Sequence, residues 1–376
     1  MSPRAKRLMA ALGGALTAAS TVLLPATPGA ASVIPETVPS SVTSIPLTRT
    51  KAELQKVIDY WTPERLRAAD SFVPLRKSSG ASPAPGSTTA AAGGTAAQAP
   101  GSKTVRPTTA KTAVNTAARR AGYPATVGKV FFRIGTKEYW CSATAVHSPG
   151  KNLVATAGHC TFDVKQAKPV ADWIFIPGYA GGDTSAGIFV GHTLNLHERF
   201  TNLGDYDYDY AFVTVHRGFV WQPEQDASGR PKRDAKGNIV YRRVDVGHLE
   251  DRVGAQGIAW NRGAKVSIIA FGYPAGPHPN GSRPFDGQSL KWCRTIGTRV
   301  TPAPTWQVNR GLLFKCTFTS GASGGPWLLG YDSRTGTGYL NGVNSLTWDT
   351  DADGKNDHIS SPYFNGDTHK AYKTAA

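Results

Sequence analysis

The chain has 376 residues, a formal net charge of +16 and four cysteines. Its length allows two or three ordinary domains. The basic excess is spread along the sequence and forms no basic stripe interleaved with aromatic residues, so we expect no nucleic-acid partner. A net positive charge can also serve to attract the protein to an anionic cell wall or to an acidic substrate.

Residues 1–31 have the pattern of a signal peptide. Arg4, Lys6 and Arg7 precede an apolar stretch, and small residues follow it. Glycine and proline interrupt the stretch, which is shorter than the roughly 20 apolar residues that a membrane span needs. No adjacent arginine pair precedes it, which indicates general rather than twin-arginine export. We therefore predict a secreted, extracellular protein with no membrane partner.

An amphipathic helix is predicted to follow the signal peptide. Leu54, Val57, Ile58 and Trp61 recur at the spacing of one helical face. Thr62 can cap a second short helix that has proline in its first turn. Two such helices alone cannot bury enough apolar surface to form an independent domain.

Residues 78–118 contain almost only small residues, polar residues and proline. Little apolar burial can offset the entropy of ordering them, so the segment is predicted to be a low-complexity, disordered linker. We expect residues 32–118 to be a helical pro-segment and this linker, and the chain to be a zymogen. The alternative is a retained, disordered N-terminal extension.

Residues 119–376 have the sequence of an all-β domain. Runs of β-branched and aromatic residues alternate with turn residues, a spacing typical of a sandwich or barrel. Residues 222–243 are polar and rich in turn signals, which predicts an exposed insertion. The predicted strands cover residues 127–134, 173–176, 210–215, 266–270, 312–316 and 339–343.

The four cysteines, Cys141, Cys160, Cys293 and Cys316, all lie in this all-β region. Export would place them where disulfides persist, and three pairings are possible. A zinc site is the alternative use of four cysteines, but the sequence has no Cys-x-x-Cys pair.

A glycine-rich motif carries a candidate nucleophile. Residues 321–326 read Gly-Ala-Ser-Gly-Gly-Pro, and the glycines let the backbone turn sharply around Ser323. The N–H groups of Gly321 and Ser323 can then point at a developing oxyanion. A serine hydroxyl needs a base to take its proton, and that base works best when a third group orients it.

Two upstream segments contain candidates for these partners. His159 lies beside Cys160, at the end of an apolar run. Asp205, Asp207 and Asp209 alternate with tyrosines, so in an extended stretch all three carboxylates would share one face. From the residues alone, any of the three could orient the base.

The order His159, Asp209, Ser323, with the residues around each, resembles the chymotrypsin-like serine peptidases over residues 119–376. The resemblance implies two Greek-key six-stranded β-barrels with the active site between them. It favours Asp209 as the orienting carboxylate, because an apolar run follows it as in the family, and leaves Asp205 and Asp207 to a solvated loop. The implied activity is that of a serine endopeptidase, which hydrolyses protein or peptide substrates through an acyl-enzyme.

The resemblance also implies a disulfide pairing. In the family, the cysteine after the histidine pairs with one before it, which carries over to Cys141 and Cys160. Cys293 and Cys316 would then form the second bridge. Each bridge would close a loop of about 20 residues and contribute roughly 3 kcal/mol in the chain-entropy model.

Two residues beside the serine depart from the family pattern. Ala322 stands where members activated by a new N-terminus carry an acidic residue that pairs with it, so we expect no such ion pair. Thr317 stands where trypsin-like members carry an aspartate, so a preference for basic side chains is not expected. Ala322 resembles the secreted bacterial glutamyl-endopeptidase branch, but the pocket histidine of that branch would fall near Asn344.

Substrate contacts follow from the same resemblance. Ser345, Leu346 and Thr347 resemble the strand that pairs with the substrate backbone, a form of β-augmentation. Thr317 would line the pocket for the side chain at the scissile bond. We expect a monomer that needs no cofactor for the reaction.

Two alternatives concern the whole chain. Gly-x-Ser-x-Gly also fits the nucleophile elbow of α/β-hydrolases. Only about 50 residues follow Ser323, however, too few for the remaining βα units at roughly 30 residues each. The second alternative is a catalytically silent homologue that acts as a secreted binding module, and the complete triad argues against it.

An acidic loop near the C-terminus resembles a calcium-binding loop. Asp349, Asp351, Asp353 and Asp357 stand at positions 1, 3, 5 and 9, with a glycine at position 6. Position 12 is Ser360 rather than glutamate. A structural calcium ion is therefore one interpretation, and a polar hairpin loop is the other.

Overall fold

The computed structural model describes residues 41–74, 103–111 and 122–376. The predicted signal peptide and most of the predicted linker lie outside these residues. The described α-helices are Lys51–Tyr60 (α1), Pro63–Ala68 (α2), Glu198–Leu203 (α3), Leu249–Val253 (α4) and Gly366–Ala375 (α5). None of the helices in the described part of the chain is both long and apolar enough to cross a membrane.

Strands account for most of the regular structure. Those of the N-terminal part are Val42–Pro46 (β1), Asp70–Ser71 (β2), Lys103–Val105 (β3), Val127–Ile134 (β4), Lys137–Val146 (β5), Leu153–Thr156 (β6), Phe162–Asp163 (β7), Lys168–Pro169 (β8), Ala171–Pro177 (β9), Phe189–His197 (β10) and Ala211–Val215 (β11). Those that follow are Gly218–Pro223 (β12), Tyr241–Gly247 (β13), Gly257–Trp260 (β14), Ile268–Gly272 (β15), Lys291–Thr295 (β16), Arg299–Ala303 (β17), Val308–Lys315 (β18), Pro326–Asp332 (β19), Thr337–Val343 (β20), Leu346–Trp348 (β21) and His358–Ser361 (β22). All six predicted strands are present, with shifted ends in most cases.

The first barrel is closed by six strands. They pair in the order β4, β5, β6, β11, β10 and β9, and β9 pairs back with β4. Along β4, Val130 and Phe132 face the barrel interior, whereas Phe131 belongs to a second apolar cluster on the outside. This strand is therefore buried on both faces, which explains the consecutive apolar residues at positions 130–132.

Residues 41–74 cover the outside of this barrel. Strand β1 pairs with β10 over its whole length, from Val42 opposite His197 to Pro46 opposite Thr193. Helix α1 begins with a complete capping box at Thr50. The apolar face predicted for α1 is buried, and it packs with Phe131 in the second apolar cluster. The helical part of the predicted pro-segment is thus packed against the first barrel.

The second half contains two further sheets. One has six strands in the order β16, β15, β19, β20, β14 and β3, and the other has four in the order β17, β18, β22 and β21. The all-β, two-barrel chymotrypsin-like fold implied by the resemblance is confirmed. Strand β3 lies within the predicted linker and pairs with β14. Backbone bonds to a sheet edge require no large side chains, so composition gave no sign of this strand.

Both disulfides implied by the resemblance are present. Cys141 on β5 bonds to Cys160, and Cys293 on β16 bonds to Cys316. The predicted insertion at residues 222–243 is largely exposed, and it joins the antiparallel strands β12 and β13.

Candidate active site

His159 lies in a short 3-10 turn that directly follows strand β6. The turn spans Gly158–Cys160, and the Cys160 disulfide ties it to β5. A side chain at Gly158 would collide with Phe200 and approach the carboxylate of Asp209, so glycine is required there. The local fold therefore lets the backbone of the turn approach Asp209 closely.

Asp209 orients the ring of His159. Its carboxylate is fully buried and accepts hydrogen bonds from the backbone N–H of His159 and from Nδ1, each at 2.8 Å. The hydroxyl of Ser345 donates a third bond to it, at 2.6 Å. Because an ionised carboxylate can only accept, the proton of the imidazole lies on Nδ1, and Nε2 is left as an acceptor.

Asp205 and Asp207 do not lie in a solvated loop, so that expectation was wrong. Residues Tyr206–Tyr208 form a 3-10 turn instead of an extended stretch, and the aspartates therefore point in different directions. Asp205 bonds to Arg199 at 2.7 Å, and Asp207 accepts the backbone N–H groups of residues 309 and 310. Both carboxylates are buried and structural.

Two aromatic side chains lie beside the His159 ring. The ring centroid of Phe72 lies 6.0 Å from that of His159, the ring centroid of Tyr206 lies 6.2 Å from it, and both rings are roughly parallel to the imidazole. Burial, with a contribution from the Asp209 carboxylate, raises the pKa of Tyr206 well above its ordinary value, so this phenol stays protonated. Within the described residues, Nε2 of His159 is buried and has no hydrogen-bond partner.

Ser323 lies in a tight loop between the two halves of the molecule. Gly321 and Gly324 have φ values of 94° and 78°, which L-residues with side chains rarely adopt. The carbonyl of Ser323 accepts the N–H of Ser142 on β5 at 2.7 Å. A side chain at Gly324 would overlap the hydroxyl of Thr156 at the end of β6. The serine loop is thus pressed against the strand end that leads to His159.

The predicted substrate-contacting residues are in different environments. Thr317 is exposed. Ser345 is buried, and its hydroxyl donates to Asp209. Thr347 is exposed on β21, which pairs only with β22 among the described strands. Leu346 is buried. One edge of β21 is therefore unpaired in the described structure, as β-augmentation requires.

Asn344 does not offer its side chain to a pocket. Its Oδ1 accepts the indole N–H of Trp327 at 2.7 Å, and its Nδ2 donates to the carbonyls of Phe271 and Ala322, each at 2.9 Å. The carbonyl oxygen and the amide nitrogen of the side chain therefore both have hydrogen-bond partners within the protein. Sequence reasoning missed this role, and also those of Phe72 and Ser142, because no local motif marks them.

The acidic loop brings three of its four predicted ligands together. Ligand oxygens of Asp349, Asp351 and Asp353 all lie within 4.8 Å of one another. The Oδ1 atom of Asp349 is buried and has no hydrogen-bond partner among the described residues. Asp357 instead accepts the N–H and hydroxyl of Thr350, at 2.9 and 2.6 Å.

Comparison with known proteins gives no match to a family model and none to a curated protein sequence. Solved structures do match. Protease Anisep from Arthrobacter nicotinovorans is 28% identical, with a TM-score of 0.52, over 68% of this chain and 97% of that one. The thermostable serine protease AL20 from an extremophilic microorganism is also 28% identical, with a TM-score of 0.52, over 67% of this chain and 97% of that one. A Glu endopeptidase matches at 14% identity and a TM-score of 0.45, over 67% of this chain and 90% of that one.

Proposed function

We propose that this chain, a hydrolase of the serine protease class by its fold and its likenesses, is a secreted endopeptidase that acts through an acyl-enzyme on Ser323. The observation that carries the proposal is the buried Asp209–His159 pair. It fixes the protonated nitrogen of the imidazole toward the carboxylate and leaves Nε2 free to accept a proton. A ring held in this tautomer is what a serine nucleophile requires.

The reaction follows from these roles. The hydroxyl of Ser323 adds to the carbonyl carbon of the scissile peptide bond while His159 Nε2 takes its proton. The oxyanion is stabilised by the N–H groups of Gly321 and Ser323. The proton then passes from Nε2 to the leaving amine as the carbon–nitrogen bond breaks. A water molecule, deprotonated by the same nitrogen, hydrolyses the ester and regenerates Ser323.

Protein or peptide substrates are proposed to bind along the open edge of β21. The exposed Thr347 marks this edge, and main-chain hydrogen bonds to it would hold an extended peptide. Thr317 provides no acidic group for a basic substrate side chain. We propose that the protein acts as a monomer, which sedimentation of the purified protein would test.

Labelling with a fluorophosphonate probe tests the proposed nucleophile. We expect covalent labelling of the processed protein at Ser323, detected by mass spectrometry. Ser323→Ala should abolish the label and reduce peptide hydrolysis about a millionfold. A folded, processed protein that is neither labelled nor able to cleave a peptide mixture would instead favour a silent homologue that acts as a binding module.

Residues 70–72 support a zymogen. Strand β2 pairs in parallel with β5, and the N–H of Phe72 donates to the carbonyl of Trp140 at 3.0 Å. The Phe72 ring covers His159. A Cβ placed on Gly321 would lie 3.1 Å from the Cβ of Ser71, so the segment also reaches the serine loop. We propose that residues 70–72 block the site until the chain is cut within the linker, which ends the pro-segment of residues 32–118.

Rates of fluorophosphonate labelling test this block. The uncut chain should label more slowly than the cut chain. Phe72→Ala should speed labelling of the uncut chain about tenfold, which corresponds to 1.4 kcal/mol taken from the closed state. Val73→Ala is the matched control, because the neighbouring Val73 side chain is 52% exposed. Equal rates for the cut and uncut chains would contradict a blocking role.

A structural calcium ion is proposed for the acidic loop. The convergence of three carboxylates and the unpartnered Oδ1 of Asp349 fit a hard cation that prefers oxygen ligands. Asp349, Asp351 and Asp353 would hold it, with no part in the reaction itself. Calcium should raise the melting temperature of the purified protein, but not that of Asp351→Asn. A melting temperature unchanged by a chelator would count against the site.

A further inference from the structure

Stabilisation of the oxyanion, as proposed above, depends on how one peptide group is turned. The N–H of Gly321 must face the reacting carbonyl, and a half-turn of the Ser320–Gly321 peptide would present a carbonyl oxygen there instead. Ala322 provides no carboxylate that could bind a new N-terminus and hold the loop. It is buried among apolar side chains that include Phe314 and Trp327. Other contacts must therefore fix the orientation.

The first fixed peptide is the one between Ser320 and Gly321. The carbonyl of Ser320 accepts the N–H groups of Ala275 and Gly276, at 2.9 and 3.0 Å. In a trans peptide the carbonyl and the N–H point in opposite directions. These two bonds therefore turn the Gly321 N–H away from residues 275–276.

The second fixed peptide is held by the side chain of Ser142. Its hydroxyl donates to the carbonyl of Gly321 at 2.8 Å and accepts the N–H of Tyr273 at 2.9 Å. A backbone N–H can only donate, so the hydroxyl proton is committed to Gly321. Ser142 is fully buried, and its own N–H donates to the carbonyl of Ser323. One residue of the first barrel thus bonds to two successive turns of the serine loop.

The third fixed peptide is held by Asn344. Its Nδ2 donates to the carbonyl of Ala322, and the indole N–H of Trp327 fixes which end of the amide is the acceptor. Asn344 is 3% exposed, so these bonds lie in a medium where losing a partner is costly. The carbonyls of three successive residues, 320 to 322, are therefore all occupied.

We propose that Ser142 and Asn344 are positioning residues that hold the oxyanion-binding loop in its active orientation without an ion pair to a new N-terminus. This inference rests on the proposed function, because it assigns a role in the same reaction. One consequence is that activation requires only the removal of residues that cover the site. The residue at which the chain is cut would not matter for the loop.

Ser142→Ala in the processed enzyme tests the positioning role, and Thr144→Val is its matched control. Both residues lie on β5 and are fully buried, and both changes remove a hydroxyl, but that of Thr144 bonds to the carbonyls of Thr126 and Ala145 and not to the loop. We expect Ser142→Ala to lower kcat about 10-fold to 100-fold with little change in KM, below the loss of an oxyanion donor itself.

Binding of a peptide boronate separates positioning from a merely structural role. The boronate mimics the tetrahedral intermediate, so its affinity should fall by the same factor as kcat, whereas the affinity of the matching peptide amide should not change. Equal effects of Ser142→Ala and Thr144→Val on kcat, or a loss of melting temperature alone, would overturn the proposal. A wild-type enzyme that neither cleaves peptides nor binds the boronate would instead contradict the proposed function.

The position of the cut provides an independent test. Processed forms that begin at two adjacent residues, made through an engineered cleavage site, should have the same kcat/KM. A tenfold difference between them would show that the new N-terminus contributes to the loop and would overturn the proposal.

Discussion

The two halves of the candidate site are held by different kinds of contact. In the first barrel, the buried carboxylate of Asp209 orients the imidazole of His159. In the second half, neutral donors from Ser142 and Asn344 hold successive carbonyls of the serine loop. The orientation of His159 depends on bonds to one buried carboxylate, whereas the orientation of the serine loop depends on several neutral hydrogen bonds that support one another. We therefore expect the substitution of one orienting residue to lower kcat far more in the first half than in the second.

Among substitutions of the residues that orient the site, Asp209→Asn should have the largest effect. An amide can present an N–H where Nδ1 needs an acceptor, which favours the wrong tautomer, and kcat should fall about 10⁴-fold. The measurement is hydrolysis of a saturating peptide substrate by the processed enzyme. Asp205→Asn is the control, because that carboxylate is also buried but binds Arg199 and not His159. Similar losses of kcat in the two variants would contradict the assignment of Asp209, rather than any buried aspartate, as the residue that orients His159.

Removing each disulfide separates stability from orientation. Either pair of alanine substitutions should lower the free energy of unfolding by about 3 kcal/mol. Only the loss of the Cys141–Cys160 bridge should also lower kcat, because Cys160 adjoins His159 in the same turn. Urea unfolding and peptide hydrolysis measure the two effects. A comparable fall in kcat without the Cys293–Cys316 bridge would contradict this division.

Lys129→Met concerns a buried amine in the first barrel that has aromatic rings around it but no ion pair within the described residues. Lys129 is 1% exposed, its Nζ lies 3.8 Å from the ring centre of Trp140, and no ion pair to it occurs among the described residues. Burial lowers the pKa of Lys129 to about 7, against an opposing attraction from Asp286. The substitution should stabilise the fold at pH 7 by about 1–3 kcal/mol.

The sign of the pH dependence follows from the same pKa. Between pH 7 and about 10.4 the unfolded lysine keeps its proton while the folded one loses it, so the wild-type free energy of unfolding rises with pH. The advantage of Lys129→Met should be largest at or below pH 7 and vanish near pH 10. Lys137→Met, at an exposed position of β5, is the control. A pH-independent difference would show that the buried amine is not the cause.

The main elements of the fold could be predicted because their signals are local. The alternation of apolar runs and turns located the six predicted strands, and the spacing of Val57 and Ile58 located α1. Asp205 and Asp207 could not be predicted correctly, since a 3-10 turn of three residues has no distinct sequence period. Asp207 binds residues 309 and 310, which lie 102 and 103 residues further along the chain, so no spacing connects them. Asp205 binds Arg199, which is only six residues before it, but no sequence period marks this pair.

The positions of Ser142 and Asn344 show a second limit. Each side chain bonds directly to loop residues that are distant from it in sequence. In the sequence alone, a serine or asparagine of this kind resembles any other polar residue in or beside a strand. Strand β3 and the docking of residues 41–74 were missed for a related reason. Composition measures what a segment can bury alone, whereas these segments complete a surface that the rest of the chain provides.

Strand β1 has a consequence for the cut chain. It occupies one edge of β10 from Thr193 to His197, and α1 covers the apolar outer face of the barrel beside it. Departure of the segment would leave an unpaired strand edge next to exposed Phe131, a combination that invites association with other chains. A cut in the linker alone would therefore leave a two-chain protein, with residues 41 to 68 as a tightly held light chain and only residues 70–72 free to withdraw.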